Sequence, residues 1–154
     1  MRKQLFFFFI AALLGACSSV DCPLNNTVYT NYQLQGPVQT LPDTLTISTT
    51  RSDGNDSVII NKQVNTDSFS LPMSYHRDED VFIVQSNRLF DTIVVKKTNI
   101  PHFESVDCGV NYFHTITGVR HTIHTIDSIT INKRNVNYDA SVSHLYIYFR
   151  KEAY

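Results

Sequence analysis

Six short apolar segments open with an aspartate, and this repeated pattern constrains the fold more than any other feature of the sequence. The aspartate is usually followed by Ser or Thr and then by a run of β-branched and apolar residues. The first five aspartates are 11 to 13 residues apart, which is the rhythm of consecutive short strands and turns in a β-sandwich or barrel. The segments begin at Asp43, Asp56, Asp67, Asp80, Asp91 and Asp127.

An aspartate at the start of a strand has a simple physical role. Its carboxylate accepts hydrogen bonds from nearby backbone N–H groups in an Asx-type turn, and its charge discourages edge-to-edge pairing of sheets. We therefore predict that these six aspartates are turn residues rather than catalytic groups.

The rest of the sequence also favours strands over helices. Val, Ile, Thr, Tyr and Phe are plentiful and suit a pleated, half-buried surface, whereas no long window after the first 16 residues has a helical period. In the last apolar segment Leu145, Ile147 and Phe149 share one face of a strand, and Tyr146 and Tyr148 share the other. We predict an all-β, antiparallel β-sandwich of about seven to nine strands, immunoglobulin-like in architecture.

The N-terminus has the features of an export signal. Arg2 and Lys3 precede an apolar run over residues 5–14, which is too short to remain in a bilayer as a spanning helix. The run ends in Leu14-Gly15-Ala16-Cys17, which resembles the lipobox of bacterial lipoproteins. We therefore expect a signal peptide over 1–16, a lipidated tether over 17–21 that begins at Cys17, and a β-sandwich domain over 22–154. The alternative is an ordinary signal peptide cut near Ala16 or Cys17, which would leave a soluble periplasmic protein with a free thiol.

Two cysteines remain after Cys17. In an oxidising compartment Cys22 and Cys108 are expected to form a disulfide, which would fix the start of the domain against its C-terminal third. The alternative is two buried, unpaired thiols.

Histidines are concentrated in the C-terminal half of the chain. If residues 112–117 and 121–126 form a hairpin around Gly118, Val119 and Arg120, then His114 lies opposite His124 on one face. Two imidazoles in that position are the beginning of a metal site, although a catalytic zinc would need a third ligand. The alternative is polar pairing across two strands.

Other chemistry has weaker support in the sequence. Tyr146 and Tyr148 are candidates for an exposed aromatic strip that binds glycans, or for side chains packed under a loop. Signatures of nucleophilic, zinc-protease and phosphate-binding enzymes are absent, and we expect no cofactor. The acidic run Asp78-Glu79-Asp80 is explained by a connecting loop.

Charge argues against nucleic acid as a partner. Removal of the signal leaves 11 basic residues against 14 acidic ones. The pairs Lys96-Lys97 and Lys133-Arg134 each follow an apolar segment, where a solvated or edge-protecting position at a strand end is expected.

Several short motifs together resemble a family of small, uncharacterised lipoproteins of Bacteroidetes, annotated only as a domain of unknown function. The resemblance implies a Gram-negative cell envelope and no particular activity. The motifs are Cys22-Pro23-Leu24-Asn25-Asn26, Leu71-Pro72-Met73-Ser74, Pro101-His102-Phe103-Glu104-Ser105, Asp107-Cys108-Gly109, Phe113-His114 and His124-x-Ile126-Asp127-Ser128-Ile129.

These observations predict a lipid-anchored envelope protein that binds or scaffolds another envelope component without catalysis. A glycan-binding accessory lipoprotein and a metal-dependent enzyme built on the histidine pair are the alternatives. Ser18 after the lipidated cysteine favours the outer membrane, and the single acid Asp21 in the tether favours its periplasmic face.

Overall fold

The computed structural model describes Cys22, residues 27–50, Gly54 and residues 56–153. The signal segment and Cys17 lie outside the described residues. No helix in the described part is long and apolar enough to cross a membrane. The strands are β1 (Tyr29–Gln35), β2 (Leu45–Thr50), β3 (Asp56–Gln63), β4 (Ser68–Pro72), β5 (Glu79–Ser86), β6 (Leu89–Ser105), β7 (Gly109–His121), β8 (Ile126–Ile131), β9 (Asn135–Val136) and β10 (Leu145–Phe149), followed by the short 3₁₀ turn Lys151–Ala153.

The strands form two sheets, which confirms the predicted all-β, sandwich-like class. One sheet has the order β4-β1-β10-β8, and the other has the order β3-β2-β5-β6-β7-β9. The described residues contain ten strands rather than the seven to nine expected, and one of the ten is the two-residue β9.

One strand pair departs from the predicted antiparallel arrangement. β1 and β10 run parallel, with Tyr32 in register with Leu145 and Gln35 with Tyr148. Neighbouring strands joined by a hairpin must be antiparallel, but β1 and β10 come from opposite ends of the domain. No turn sequence joins them, so only the tertiary packing decides their relative direction.

The core lies between the sheets and follows the period-two pattern of the strands. Leu145, Ile147 and Phe149 of β10 are buried, as their shared face predicts. On the inner face of the four-stranded sheet, the ring of Tyr32 on β1 stacks on that of its cross-strand neighbour Phe69 on β4, with 4.7 Å between the ring centroids. Buried aromatic and branched side chains of both sheets belong to one hydrophobic cluster, which forms the core.

The longest element is the hairpin of β6 and β7, with 17 and 13 residues. The predicted turn at Gly118 is wrong, because β7 continues through Gly118 and pairs with β6 on both sides of it. The real turn lies at residues 106–108, between Ser105 and Gly109. Gly118 sits in register with Lys96, where the pairing shifts by a residue, so this glycine accompanies a bulge and not a chain reversal.

The predicted cysteine pair is confirmed at this turn. Cys108 lies in the β6–β7 turn, and its Cα is 5.4 Å from that of Cys22, with the two sulfur atoms at bonding distance. The bond joins the beginning of the domain to the tip of the long hairpin.

Candidate functional site

A buried ion pair lies on the inner face of the six-stranded sheet. The Nζ atom of Lys97 on β6 is 3.2 Å from Oδ2 of Asp80 on β5, and the lysine side chain is fully buried. The same ammonium donates a hydrogen bond to the backbone carbonyl of Arg77. The backbone N–H of Ser74 donates to the Asp80 carboxylate at 3.1 Å. We call this group the Asp80–Lys97 pair.

Strand parity explains why these two charges point inward. Asp91, Ile93, Val95 and Lys97 are alternate residues of β6, and all four are buried. β6 does not end at Lys97 as expected but continues to Ser105, and Lys97 pairs with Ile116 just after the register with β7 shifts. The expected solvated position for Lys97 is therefore wrong.

The pair fastens the connection between β4 and β5 onto the sheet. The backbone N–H of Lys97 donates to the carbonyl of Asp78 at 2.8 Å, and its ammonium holds the carbonyl of Arg77. A buried charge needs a partner and additional hydrogen bonds to offset its desolvation. Here those hydrogen bonds come from residues 74–78, so the β4–β5 connection satisfies the buried charges and is held against the sheet by them.

Burial has the largest effect on the pKa of Asp80. Desolvation raises the pKa of Asp80, while the charge of Lys97 and the hydrogen bond from Ser74 act in the opposite direction. The pKa of the nearby Tyr32 hydroxyl is also raised, first by burial and then by the charge of Asp80. This hydroxyl is buried and has no hydrogen-bond partner among the described residues.

His114 belongs to the same region of the core. Its Nδ1 is 2.8 Å from Oδ1 of Asn99, whose Nδ2 donates to the carbonyls of Tyr75 and Arg77 at 3.3 and 3.1 Å. Burial and the charge of Lys97 lower the pKa of His114 to about 4. The ring is therefore neutral at pH 7, and its Nδ1–H donates to Asn99.

A cleft of about 280 Å³ opens beside the ion pair. Its lining includes Asp80, Ser74, His76 and Arg77, together with threonines at the end of β2. The guanidinium of Arg77 donates to the carbonyl of Thr50 at 3.3 Å, which closes one side. Apolar side chains such as Met73 and Phe82 complete the lining, and the Lys97 side chain is fully buried and not part of it.

Asp91 forms a second buried polar centre, farther along β6. Its two carboxylate oxygens accept five hydrogen bonds, at 2.6 to 3.0 Å, from backbone and hydroxyl groups of the β7–β8 connection and from the N–H of Ile126, the first residue of β8. Burial alone would raise the pKa of Asp91, but the bonds from His124, Thr122 and Thr125 outweigh it and hold the pKa well below its usual range. Asp80 and Asp91 are therefore buried organising groups and not the turn residues that we predicted.

Four of the six strand-opening aspartates lie at the surface as expected. Asp43 accepts a hydrogen bond from the backbone N–H of Thr44 at 2.7 Å, and Asp67 and Asp127 each accept from the next serine hydroxyl. Asp56 accepts from the Thr50 hydroxyl across the β2–β3 hairpin at 2.9 Å.

The proposed histidine pair is not brought together. His114 lies opposite Asn99 and Val136, while His124 lies beyond the end of β7, with Nδ1 3.3 Å from Oδ1 of Asp91. Asn99 and Asp91 are eight residues apart on β6, so the two histidines are separated by about 26 Å along the strand. No group of three or more potential metal-binding His, Cys, Asp or Glu side chains occurs within the described ranges.

Tyr146 and Tyr148 lie on the outer face of the four-stranded sheet and are half-buried. In the parallel register Tyr146 is aligned with Gln33 and Tyr148 with Gln35. The Tyr148 ring covers Gly36, where an added Cβ would lie 2.9 Å from Cδ1 of the ring. The two tyrosines form a partly open strip flanked by amide side chains.

Sequence reasoning missed Asp80, Lys97 and Asn99 as parts of one cluster. A usable signal was present, since Lys97 continues the alternate positions of Ile93 and Val95 and Asp80 those of Phe82 and Val84. The signal was outweighed by the expectation that charged residues are solvated.

The fold and its polar centres define a disulfide-bonded, two-sheet all-β protein with a buried ion pair. The chain belongs to the Family of unknown function (DUF6452), whose model matches residues 44–149, more than half of its length. No curated protein and no solved structure matches the chain.

Proposed function

We propose that this protein is a lipid-anchored component of a Gram-negative cell envelope, of the Bacteroidetes type, that binds or scaffolds another envelope component without catalysis. Residues 1–16 act as a lipoprotein signal, and Cys17 carries the lipid. The anchor lies in the outer membrane and the domain faces the periplasm.

The observation that carries the proposal is the Cys22–Cys108 disulfide. Disulfides form and persist in oxidising compartments and are rare in the cytosol, so the bond supports export of the chain. Export agrees with the charged and apolar N-terminus and with a cysteine after Leu14-Gly15-Ala16. Two or three acyl chains on Cys17, at about 0.8 kcal/mol for each buried methylene, hold a small domain on a membrane almost permanently.

The anchoring part is tested by metabolic labelling with an alkyne fatty acid in a Gram-negative host. The wild-type chain is expected to incorporate label, to shift in mass when the lipoprotein signal peptidase is inhibited, and to fractionate with outer membranes. Cys17→Ser is the control and is expected to lose both label and shift. Equal behaviour of the two chains contradicts the lipid anchor.

The binding part is tested by crosslinking in intact cells, followed by purification of the lipidated protein. A specific envelope partner is expected to be recovered with wild-type protein in amounts comparable to the bait. Absence of any partner above the level of an unrelated lipoprotein with the same anchor contradicts a scaffolding role.

One observation favours glycan binding as the second candidate. Tyr146 and Tyr148 flank amide side chains on an outer sheet face, and a polar cleft of about 290 Å³ lined in part by Asn31, Gln33 and Ser70 lies on the same sheet. Titration of peptidoglycan and capsule fragments against wild type and Tyr146→Ala tests this. Tyr75→Ala is the matched control at a distant site. Equal binding by both variants, or none by wild type, excludes this face.

A further inference from the structure

Large apolar side chains are exposed at the tip of the β6–β7 hairpin. Val106 in the turn is 91 % exposed and Phe103 is 63 % exposed. Val110 is also exposed and is the cross-strand partner of Phe103, so these two side chains lie on the same face. An exposed apolar cluster of this kind marks a surface that meets another apolar phase.

This tip extends beyond the neighbouring strands. The register of β5 with β6 ends at Glu79 and Lys96, and β9 reaches β7 only at His114 and Thr115. The hairpin from about residue 103 to residue 110 is therefore covered by no third strand of the described chain. Its apolar side chains are free to meet an external surface.

Tyrosines lie beside the tip of the same hairpin. Tyr75 stacks on Tyr112 with 5.1 Å between centroids, and Tyr138 meets the edge of Phe113 at 5.0 Å. Tyr29 borders the same cleft as Tyr138. Tyr29, Tyr75 and Tyr138 are all exposed, and tyrosine is enriched at membrane–water interfaces, where its ring and hydroxyl meet apolar and wet layers together.

The tether fixes how far this end can be from the lipid. Cys22 lies five residues after Cys17, and an extended chain spans at most about 3.6 Å per residue, which gives an upper limit of about 18 Å between their Cα atoms. Cys22 is bonded to Cys108, with 5.4 Å between the Cα atoms, and Cys108 is two residues from Val106. The disulfide therefore holds the apolar tip close to the lipidated residue.

We propose that the tip formed by Phe103, Val106 and Val110 rests on the phospholipid surface, so that the anchored domain stands on the membrane in one orientation. This inference rests on the proposed lipid anchor at Cys17. Glu104 and Asp107 lie beside the apolar residues. Their charge favours a zwitterionic headgroup surface over an anionic one.

The opposite end of β6 provides a matched control. Phe90 is 56 % exposed, close to the exposure of Phe103, and lies beside the exposed Leu89. Phe103 lies 13 residues after Phe90 on the same strand, which corresponds to about 43 Å. An orientation imposed by the tether therefore brings Phe103, and not Phe90, to the membrane.

The test uses tryptophan as a probe, because the chain contains none. Phe103→Trp, Val106→Trp and Phe90→Trp are prepared as full-length, lipidated proteins and reconstituted into phosphatidylcholine vesicles brominated near the top of one acyl chain. Flotation of the vesicles reports the anchor, and fluorescence quenching reports which end meets the lipid. Both tip probes are expected to be quenched at least about twofold more strongly than Phe90→Trp, since interfacial apolar side chains reach about 5–10 Å into this region. Replacing part of the phosphatidylcholine by phosphatidylglycerol is expected to reduce the quenching at the tip.

The outcomes separate the two proposals. Equal quenching at both ends, or stronger quenching at Phe90→Trp, in protein that floats with the vesicles overturns the orientation and leaves the anchor standing. Failure of the protein to incorporate lipid and to float overturns the anchor, and the orientation falls with it. Because the two Phe→Trp changes share the same side chains and similar exposure, the intrinsic affinity of tryptophan for membranes cancels between them.

Discussion

Replacing Asp91 with Asn tests the most heavily bonded side chain of the fold. Oδ1 accepts from the Thr122 hydroxyl and the His124 N–H, and Oδ2 accepts from Thr125 and from the Ile126 N–H. An amide offers one acceptor oxygen and places two N–H donors against a group of donors. At least two charge-assisted bonds are lost, at about 1.5–3 kcal/mol each, so the variant is expected to lose about 3–6 kcal/mol of unfolding free energy.

The matched control is Asp127→Asn, because Asp127 is followed by a hydroxyl residue and an apolar run in the same pattern as Asp91. Its carboxylate is exposed and accepts one 3.3 Å bond from Ser128, with Arg150 at 3.9 Å, so a loss below about 1 kcal/mol is expected. Urea denaturation of both variants in a Cys17→Ser background measures the difference. Losses of similar size would refute the buried role of Asp91.

The pH dependence gives a second check on Asp91. Its folded pKa is depressed below the ordinary value of 3.8, so its contribution is fully present above about pH 5 and is lost as pH falls through and below about 4. The difference in stability between wild type and Asp91→Asn is therefore expected to shrink on acidification. A constant difference down to pH 3 would contradict this assignment.

Three further predictions concern the other internal contacts. Lys97→Met leaves Asp80 buried without its cation and is expected to lower the unfolding free energy by about 3–5 kcal/mol. The double variant with Asp80→Asn is expected to recover part of that loss. Urea denaturation of the single and double variants measures this, and additive losses would argue against a pair. Changing Cys22 and Cys108 together to Ser is expected to lower the unfolding free energy by about 4–5 kcal/mol, by the chain-entropy model for a loop of this length. Urea denaturation measures the loss, and an unchanged midpoint would refute it. The pKa of His114 is about 4 in the folded protein, against an ordinary value of 6.5, so the unfolded chain binds more protons between these two pH values. The unfolding free energy therefore rises with pH across that window. His114→Gln is expected to flatten the rise, and an unchanged slope would show that His114 is not its source.

Much of the fold was predictable from local patterns. Every Asp-opened segment lies in or beside a strand. Alternation placed Leu145, Ile147 and Phe149 in the core correctly. These predictions succeed because the side chains of a strand alternate between two faces whatever its partners are.

Predictions that needed a partner strand were less reliable. The turn expected at Gly118 failed because a glycine in a strand is compatible with either a reversal or a bulge, and the long pairing of β6 with β7 selected the bulge. The histidine pair failed with it, since His114 and His124 depended on that register. The direction of β10 beside β1 had no local determinant at all.

The sequence by itself determined the strand-rich class, the positions of most strands and the only two cysteines left to pair after Cys17, because each follows from residue type and short-range spacing. The tertiary structure alone decided which aspartates are buried. Asp91 and Asp127 open their strands in the same way, yet one organises a buried connection and the other lies at the surface. The difference is that a residue's neighbours across a sheet come from distant parts of the chain, and the desolvation and hydrogen bonds that they supply leave no mark in the local sequence.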